Sequence, residues 1–319
     1  MNVAIFGAAG AIGPVAAQEL AARGHRVRLV GRNAARLPKV AGAESFAADL
    51  MDADSARAAA EGMDAILYAV GVPYDRFELH PPMMRTTIAA ARAAGVGRLI
   101  HISNVYVYGL PQSATVAETQ PLEPHTRKGR FRKEQEYLVT AAHDPGGLRT
   151  LILRPCDFYG PTATNSAPAF ALDAALAGKA ADVLAPDTKP HEYVYVPDLG
   201  PIIADLFERP EAFGTAYNVA GSGTITTRDF IERLLRAAGR PVKIRTAGTG
   251  MLRVLGLFNP LMRELVEMNY LQSDPVMLDE SKLRAVLPGL RKTPYDDGIA
   301  ATAAAAIARH AAAGSAAKA

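Results

Sequence analysis

Three glycines, Gly7, Gly10 and Gly13, stand three residues apart in GAAGAIG, where a short apolar run gives way to a helical pattern. Small residues at that spacing suit pyrophosphate binding. The first permits a tight turn, the second lets backbone approach the phosphates, and the third lets the helix pack closely on the strand. The amides around Ala11 and Ile12 would then face the phosphates at the positive end of the helix. Pro14 fits the first turn, where its missing N–H has no intrahelical partner to lose. One strand later the chain reads VGRN, Val30 to Asn33, and the next acid is Glu44. An NAD site places an acid at that strand end, ~20 residues on, for the ribose 2′-hydroxyl. Arg32, aided by Arg36, instead suits a 2′-phosphate, so the cofactor reading is NADP before NAD.

The stretch HTRKGRFRKEQEYL, His125 to Leu138, sets five basic residues in the seven positions Arg127 to Lys133. It reads as a mostly solvated helical face, balanced by Glu134 and Glu136, or as a grip for an anionic substrate. Nucleic acid is disfavoured, because no aromatic platform is interleaved with the charge. The seven histidines show no H-E-x-x-H or paired spacing, so no metal site is expected. Cys156 sits in an apolar strand as a small buried residue, and Asp157 beside it reads as a strand-end cap or a pocket residue. No G-x-S-x-G elbow occurs.

The elements that must position these residues alternate. NVAIFG (2–7), RVRLVG (26–31), ESFAADL (44–50), DAILYAVG (64–71), RLIHISNVYVYG (98–109) and RTLILRPCDFYGP (149–161) read as strands. Helical patterns fall at Pro14–Arg23, DSARAAAEG (54–62), Pro82–Gly95 and the basic stretch, which ends near His143. Such βαβ alternation predicts an α/β fold: a doubly wound parallel sheet covered on both faces. Residues 1–160 form its Rossmann domain. Residues 161–319 mainly build a smaller, interleaved C-terminal substrate lobe, from which segments near 190–220 return to the sheet. TTRDFIERLLRAAG (226–239) is a helix capped by Thr226 or Thr227, VKIRTA (242–247) a strand, and the Ala-rich tail from Ile299 a helix that frays at GSAAKA.

Taken in order, these segments resemble the extended short-chain dehydrogenase/reductase superfamily, in its NAD-dependent epimerase/dehydratase branch. GAAGAIG resembles its glycine motif, AADLMD the adenine-contacting segment at Asp49–Leu50, and ILYAVG the strand lining the cofactor with Ala69, Val70 and Gly71. LIHISNVYVYG, LILRPCDFYGP (with Pro155), EYVYVPDLG and TAYNVAGSGTIT follow as in that branch. The resemblance implies a catalytic Ser or Thr, a Tyr, and a Lys four residues after the Tyr that lowers its pKa and holds the nicotinamide ribose. It places Asn104 at the serine, Gly129 at the tyrosine and Lys133 at the lysine. None of the eleven tyrosines has a lysine four residues later. Tyr106, Tyr108 and Tyr159, at strand ends facing the crevice, read either as packing or substrate-orienting residues or, one of them, as a substitute proton donor, with Asn104 able to bind a substrate carbonyl.

The 319 residues, 49% apolar and 21% charged, describe an ordinary globular chain with a large core. A net charge of +3 is too weak for a dedicated nucleic-acid binder. MNVAIFGAAG has no basic leader region, and Met251–Tyr270 is cut by Arg253, Pro260, Arg263 and Glu264, short of the ~20 apolar residues a membrane span needs. A lone cysteine forms no internal disulfide and fits a reducing cytoplasm. The expected function is an NADP(H)-dependent oxidoreductase or epimerase acting on a small carbonyl or hydroxyl compound. The alternative is a non-catalytic NADP-binding sensor. The resemblance also implies a homodimer through sheet-flanking helices.

Overall fold

The computed structural model describes residues 1–248, 250, 264 and 266–316. Most of the apolar stretch Met251–Tyr270, and the chain beyond Ala316, lie outside them. Seven strands form one parallel sheet: β1 (Asn2–Phe6), β2 (Arg26–Gly31), β3 (Glu44–Ala47), β4 (Ala65–Tyr68), β5 (Arg98–Ile102), β6 (Arg149–Pro155) and β11 (Ala216–Val219). Their order is β11-β6-β5-β4-β1-β2-β3, and every pairing is parallel. The order reverses between β1 and β4, and a crevice opens at the carboxyl ends of that pair, where such sheets bind ligands.

Apolar residues alternate across the sheet. Val3, Ile5, Leu67 and Ile100 pack under α1 (Ile12–Ala22) and α6 (Leu199–Phe207). Ala4, Phe6, Ile66 and Leu99 pack on the opposite side, with residues of α2 (Ala53–Ala60), α3 (His80–Ala93) and α4 (Arg127–Ala141). Burying each large side chain completely is worth about 1.5–3 kcal/mol, so this double-sided core dominates the stability.

The segment 149–161 does not run as one strand. It leaves the main sheet at Cys156, and β7 (Asp157–Tyr159) pairs instead with β10 (Tyr193–Tyr195). The segment 98–109 likewise ends as a strand at Ile102, then turns at Asn104 into a 3-10 helix, Val105–Val107. HEYVYV divides between β9 (Pro190–His191), antiparallel to β12 (Ile225–Thr226), and β10. A second core collects Leu172 and Leu176 of α5 (Ala167–Leu176), Phe230 and Leu234 of α7 (Thr227–Ala237), and Ile299 of the C-terminal helix Tyr295–Ala316. Thr226 caps α7 by accepting from the Asp229 amide at 3.0 Å. β8 (Ala181–Leu184) and β13 (Ile244–Ala247) pair along this second core. No helix of the described residues is long and apolar enough to cross a membrane.

Candidate cofactor crevice and active site

At the switch point the backbones come close. Gly7 has φ +86°, and a Cβ there would lie 2.6 Å from the Ala69 carbonyl oxygen and 2.8 Å from Val70 Cα. A Cβ on Gly13 would lie 2.3 Å from the Ala8 carbonyl oxygen. Gly10 is exposed. α1 starts after Ala11 with no side-chain cap and no acidic residue in its first turn, so its leading amides are free for an anion. Arg32 and Arg36 are exposed beside this cradle, and neither guanidinium makes an ion pair among the described residues. Asp49 accepts from the Met51 amide at 2.9 Å and Leu50 is buried beside it. Ala69 and Val70 are half-buried, Gly71 is exposed, and Pro155 is buried at the end of β6. These residues fit a dinucleotide.

α4 packs against α3, β6 and the 3-10 turn Val105–Val107 that follows β5. Thr126 caps it, accepting from the Gly129 amide at 3.1 Å. Lys128, Gly129, Arg132, Gln135, Glu136 and Val139 are buried, a stripe at helical spacing that faces the protein interior. Lys133 lies on the flank instead, half-buried, with its Nζ 5.3 Å from the centre of the Tyr137 ring. The inward pair four residues apart is therefore Lys128 and Arg132, one position before Gly129 and Lys133. The burial of Lys128 and Arg132 corrects the solvated reading of the basic run. Arg127 and Arg130 remain exposed.

Arg132 donates from Nη2 to the Ile102 carbonyl at 2.8 Å and from Nη1 to Gln135 Oε1 at 2.7 Å, tying α4 to the end of β5. Burial pulls its guanidinium down to about 10. Lys128 bonds to Glu264 and, at 2.6 Å, to Glu267 Oε2, with Nζ 4.8 Å from the Tyr74 ring centre. Burial alone would raise the Glu267 carboxyl, but its bonds to Lys128 outweigh that and hold it below the usual value.

The model of the family described as NAD(P)H-binding matches residues 7–167. The chain belongs to this NAD(P)H-binding family. It is also similar to the UDP-glucose 4-epimerase of Mycolicibacterium smegmatis, 26% identical over 293 residues, covering 83% of this chain and 92% of that one. It resembles the 2-alkyl-3-oxoalkanoate reductase of Stenotrophomonas maltophilia, 26% identical over 266 residues, 76% of this chain and 77% of that one. The DesIV dTDP-glucose 4,6-dehydratase of Streptomyces venezuelae, solved with NAD bound, shares the fold with a TM-score of 0.79, 23% identity and 96% coverage of both chains. These relatives lie in the extended short-chain dehydrogenase/reductase superfamily, as the motif order implies.

Within this NAD(P)H-binding chain, two of the expected tyrosines are committed elsewhere. Tyr108 donates to Asn218 Oδ1 at 2.7 Å and accepts from Arg154 Nη1 at 2.9 Å. Arg154 in turn grips Glu136, with Nη2 2.6 Å from Oε2. Tyr159 is buried in the second core, its ring 4.8 Å from that of Phe230, and does not face the crevice. Asn104 stays half-buried at the end of β5, with its Oδ1 accepting from the Tyr106 amide at 3.2 Å. Tyr106 meets the Tyr74 hydroxyl, and burial pushes it well above its ordinary value, so it stays protonated.

From the sequence Lys128 and Arg132 read as solvated or as an anion grip, whereas both are buried, and the buried histidines His80 and His101 carry no signal there. The available signal was the stripe at 128, 132, 135, 136 and 139. It was obscured because all but the last are polar, and polar residues suggest solvent. Among the described residues no group of three or more His, Cys, Asp or Glu is placed to hold a metal ion.

Proposed function

We propose that the chain is an NADP(H)-dependent oxidoreductase of epimerase/dehydratase-like build. Its substrate is a small carbonyl or hydroxyl compound, held mainly by the lobe built on residues 161–319. The observation that carries this reading is the inward pair Lys128 and Arg132, with Arg132 tied to the end of β5, two residues before Asn104. A bound nicotinamide would supply the hydride. Gly7, Gly10, Ala11, Ile12 and Gly13 would hold the pyrophosphate, Asp49 and Leu50 the adenine side, Ala69, Val70, Gly71 and Pro155 the lining, and Arg32 the 2′-phosphate. Arg132 would hold the ribose, the role first expected of Lys133. Asn104 would orient a substrate oxygen.

The substrate class differs from that of the nucleotide-sugar relatives. Lys128 is neutralised by two carboxylates, and the nearby lining is aromatic: Tyr74, Tyr106 and Tyr270. That favours a neutral carbonyl compound with apolar groups over a diphosphate. The strip Ile88, Ala89, Leu138 and Ala141 between α3 and α4, with exposed Tyr137 on the same helix, supports a homodimer. The free, buried Cys156 suits a reducing cytoplasm. One observation favours the sensor as second reading: neither Lys128 nor Tyr108 is free to move a proton.

The test titrates NADPH and NADH, then screens ketones, aldehydes and nucleotide sugars for cofactor oxidation. Tighter NADPH binding with turnover of a neutral ketone is expected. Arg32→Ala should weaken NADPH by about tenfold or more, the scale of one charge-assisted hydrogen bond, and leave NADH unchanged. Tight binding without turnover across the panel would move the reading to the sensor. An NADH preference untouched by Arg32→Ala would end the NADP assignment.

A further inference from the structure

A second group of titratable side chains stands just past the carboxyl end of β6, where a side chain of β7 meets one of β9. Asp157 follows Cys156 at the point where the chain leaves the main sheet, and His191 ends β9. His191 Nε2 lies 2.9 Å from Asp157 Oδ2. The imidazole is almost wholly buried, its ring 4.7 Å from that of Tyr193, and its Nδ1 makes no hydrogen bond. The Asp157 side chain, in contrast, is 39% exposed, so a ligand meets the carboxylate first and the imidazole stands behind it. Both line one small cavity with Val105 and Leu271.

The titratable groups that face this pair come from every surrounding element: Tyr74, Tyr106, Cys156, Glu192, Tyr193 and Tyr270. Burial raises all six. The tyrosines and the thiol therefore keep their protons through the neutral range. Glu192, the other carboxyl lining the cavity, is taken up by the Leu278 amide at 3.2 Å, which leaves the pair to trade a proton: a carboxylate with one accessible edge and a histidine holding its other edge.

We propose that Asp157, with His191 behind it, is the proton donor and acceptor of this chain, in place of a tyrosine. The proposal rests on the oxidoreductase reading above. In carbonyl reduction, the carbonyl carbon accepts a hydride from the reduced nicotinamide dinucleotide, which is thereby oxidised. The C=O π pair moves onto oxygen, and that oxygen takes the one proton shared by the pair. The pair passes from neutral to singly negative, and water restores its proton through the exposed carboxylate edge. Alcohol oxidation runs the same transfers backwards. Asp157 touches the substrate and is the catalytic residue; His191 acts through it and is a positioning residue.

The experiment uses the full chain with NADPH and whichever ketone or aldehyde of the panel is turned over. Asp157→Asn should lower kcat by about 100-fold or more, the usual worth of a positioned acid, and leave NADPH affinity within about twofold. In the unmodified protein reduction should fall along an alkaline limb as pH rises, and that limb should vanish in Asp157→Asn. His191→Gln should displace the limb with a smaller loss of kcat. Glu192→Gln, the neighbouring carboxyl, should leave it in place. Independently of turnover, the downfield proton NMR signal of the His191 ring N–H held by Asp157 should be lost in Asp157→Asn. Turnover of Asp157→Asn within about threefold of the original, with the limb unchanged, overturns the proposal while the oxidoreductase reading stands. If no panel compound is reduced, that reading fails and the His191 ring-proton signal decides: its loss in Asp157→Asn supports the shared proton, and its persistence overturns it.

Discussion

A methyl group at position 129 would stand 2.6 Å from both the Tyr106 carbonyl oxygen and Pro124 Cβ, closer than carbon tolerates. That contact seats the start of α4 against the turn after β5 and fixes which of its residues look inward. Lys128 and Arg132 follow from it, and Lys133 is turned to the flank. The glycine cradle is legible from the sequence because its rule is local: three positions where a side chain has no room. The α4 register is not, because the partners that draw its charges inward are distant. Arg132 meets Ile102, Glu136 meets Arg154, and Lys128 meets Glu264 and Glu267. A charged residue is read as solvated until such a partner is seen. The departure from the tyrosine pattern was visible in the sequence, and the structure moves the inward position to Lys128.

α4 and β6 are joined by the Glu136–Arg154 pair, whose carboxylate is 1% exposed and whose guanidinium reaches on to Tyr108. Removing one partner strands a buried charge. Arg154→Met should therefore cost about 3–5 kcal/mol of folding free energy in urea denaturation, with the double variant Glu136→Gln/Arg154→Met recovering part of it. A loss below about 1 kcal/mol would show that the pair does not hold the elements together. Strand positions were largely legible at this scale, because buried parallel strands are continuous apolar runs. The break at Cys156 was not: LILRPCDFYGP is apolar on both sides of it, and only the pairing of β7 with β10 separates the halves.

The whole molecule carries two buried histidines on the α3–α4 side of its sheet. Burial, reinforced by Arg132, holds His80 down to about 2 and His101 well below its ordinary 6.5. Between those values the unfolded chain binds protons that the folded chain refuses. Stability is thus fully present above 6.5 and falls as pH drops below it, approaching about 1.4 kcal/mol per pH unit for each histidine. Denaturation measured from pH ~6.5 to ~5 should show this slope, and His80→Gln should remove one histidine's share of it. A slope that His80→Gln leaves unchanged would mean that His80 is protonated in the fold.

If the cradle on β1 and the inward face of α4 hold one cofactor between them, a fluorescence titration of NADPH reads both. Binding to the unmodified chain should saturate, weaken by about tenfold or more in Arg132→Met and stay unchanged in Lys133→Met, with all three folded by circular dichroism. Unchanged binding in Arg132→Met together with a loss in Lys133→Met would contradict it.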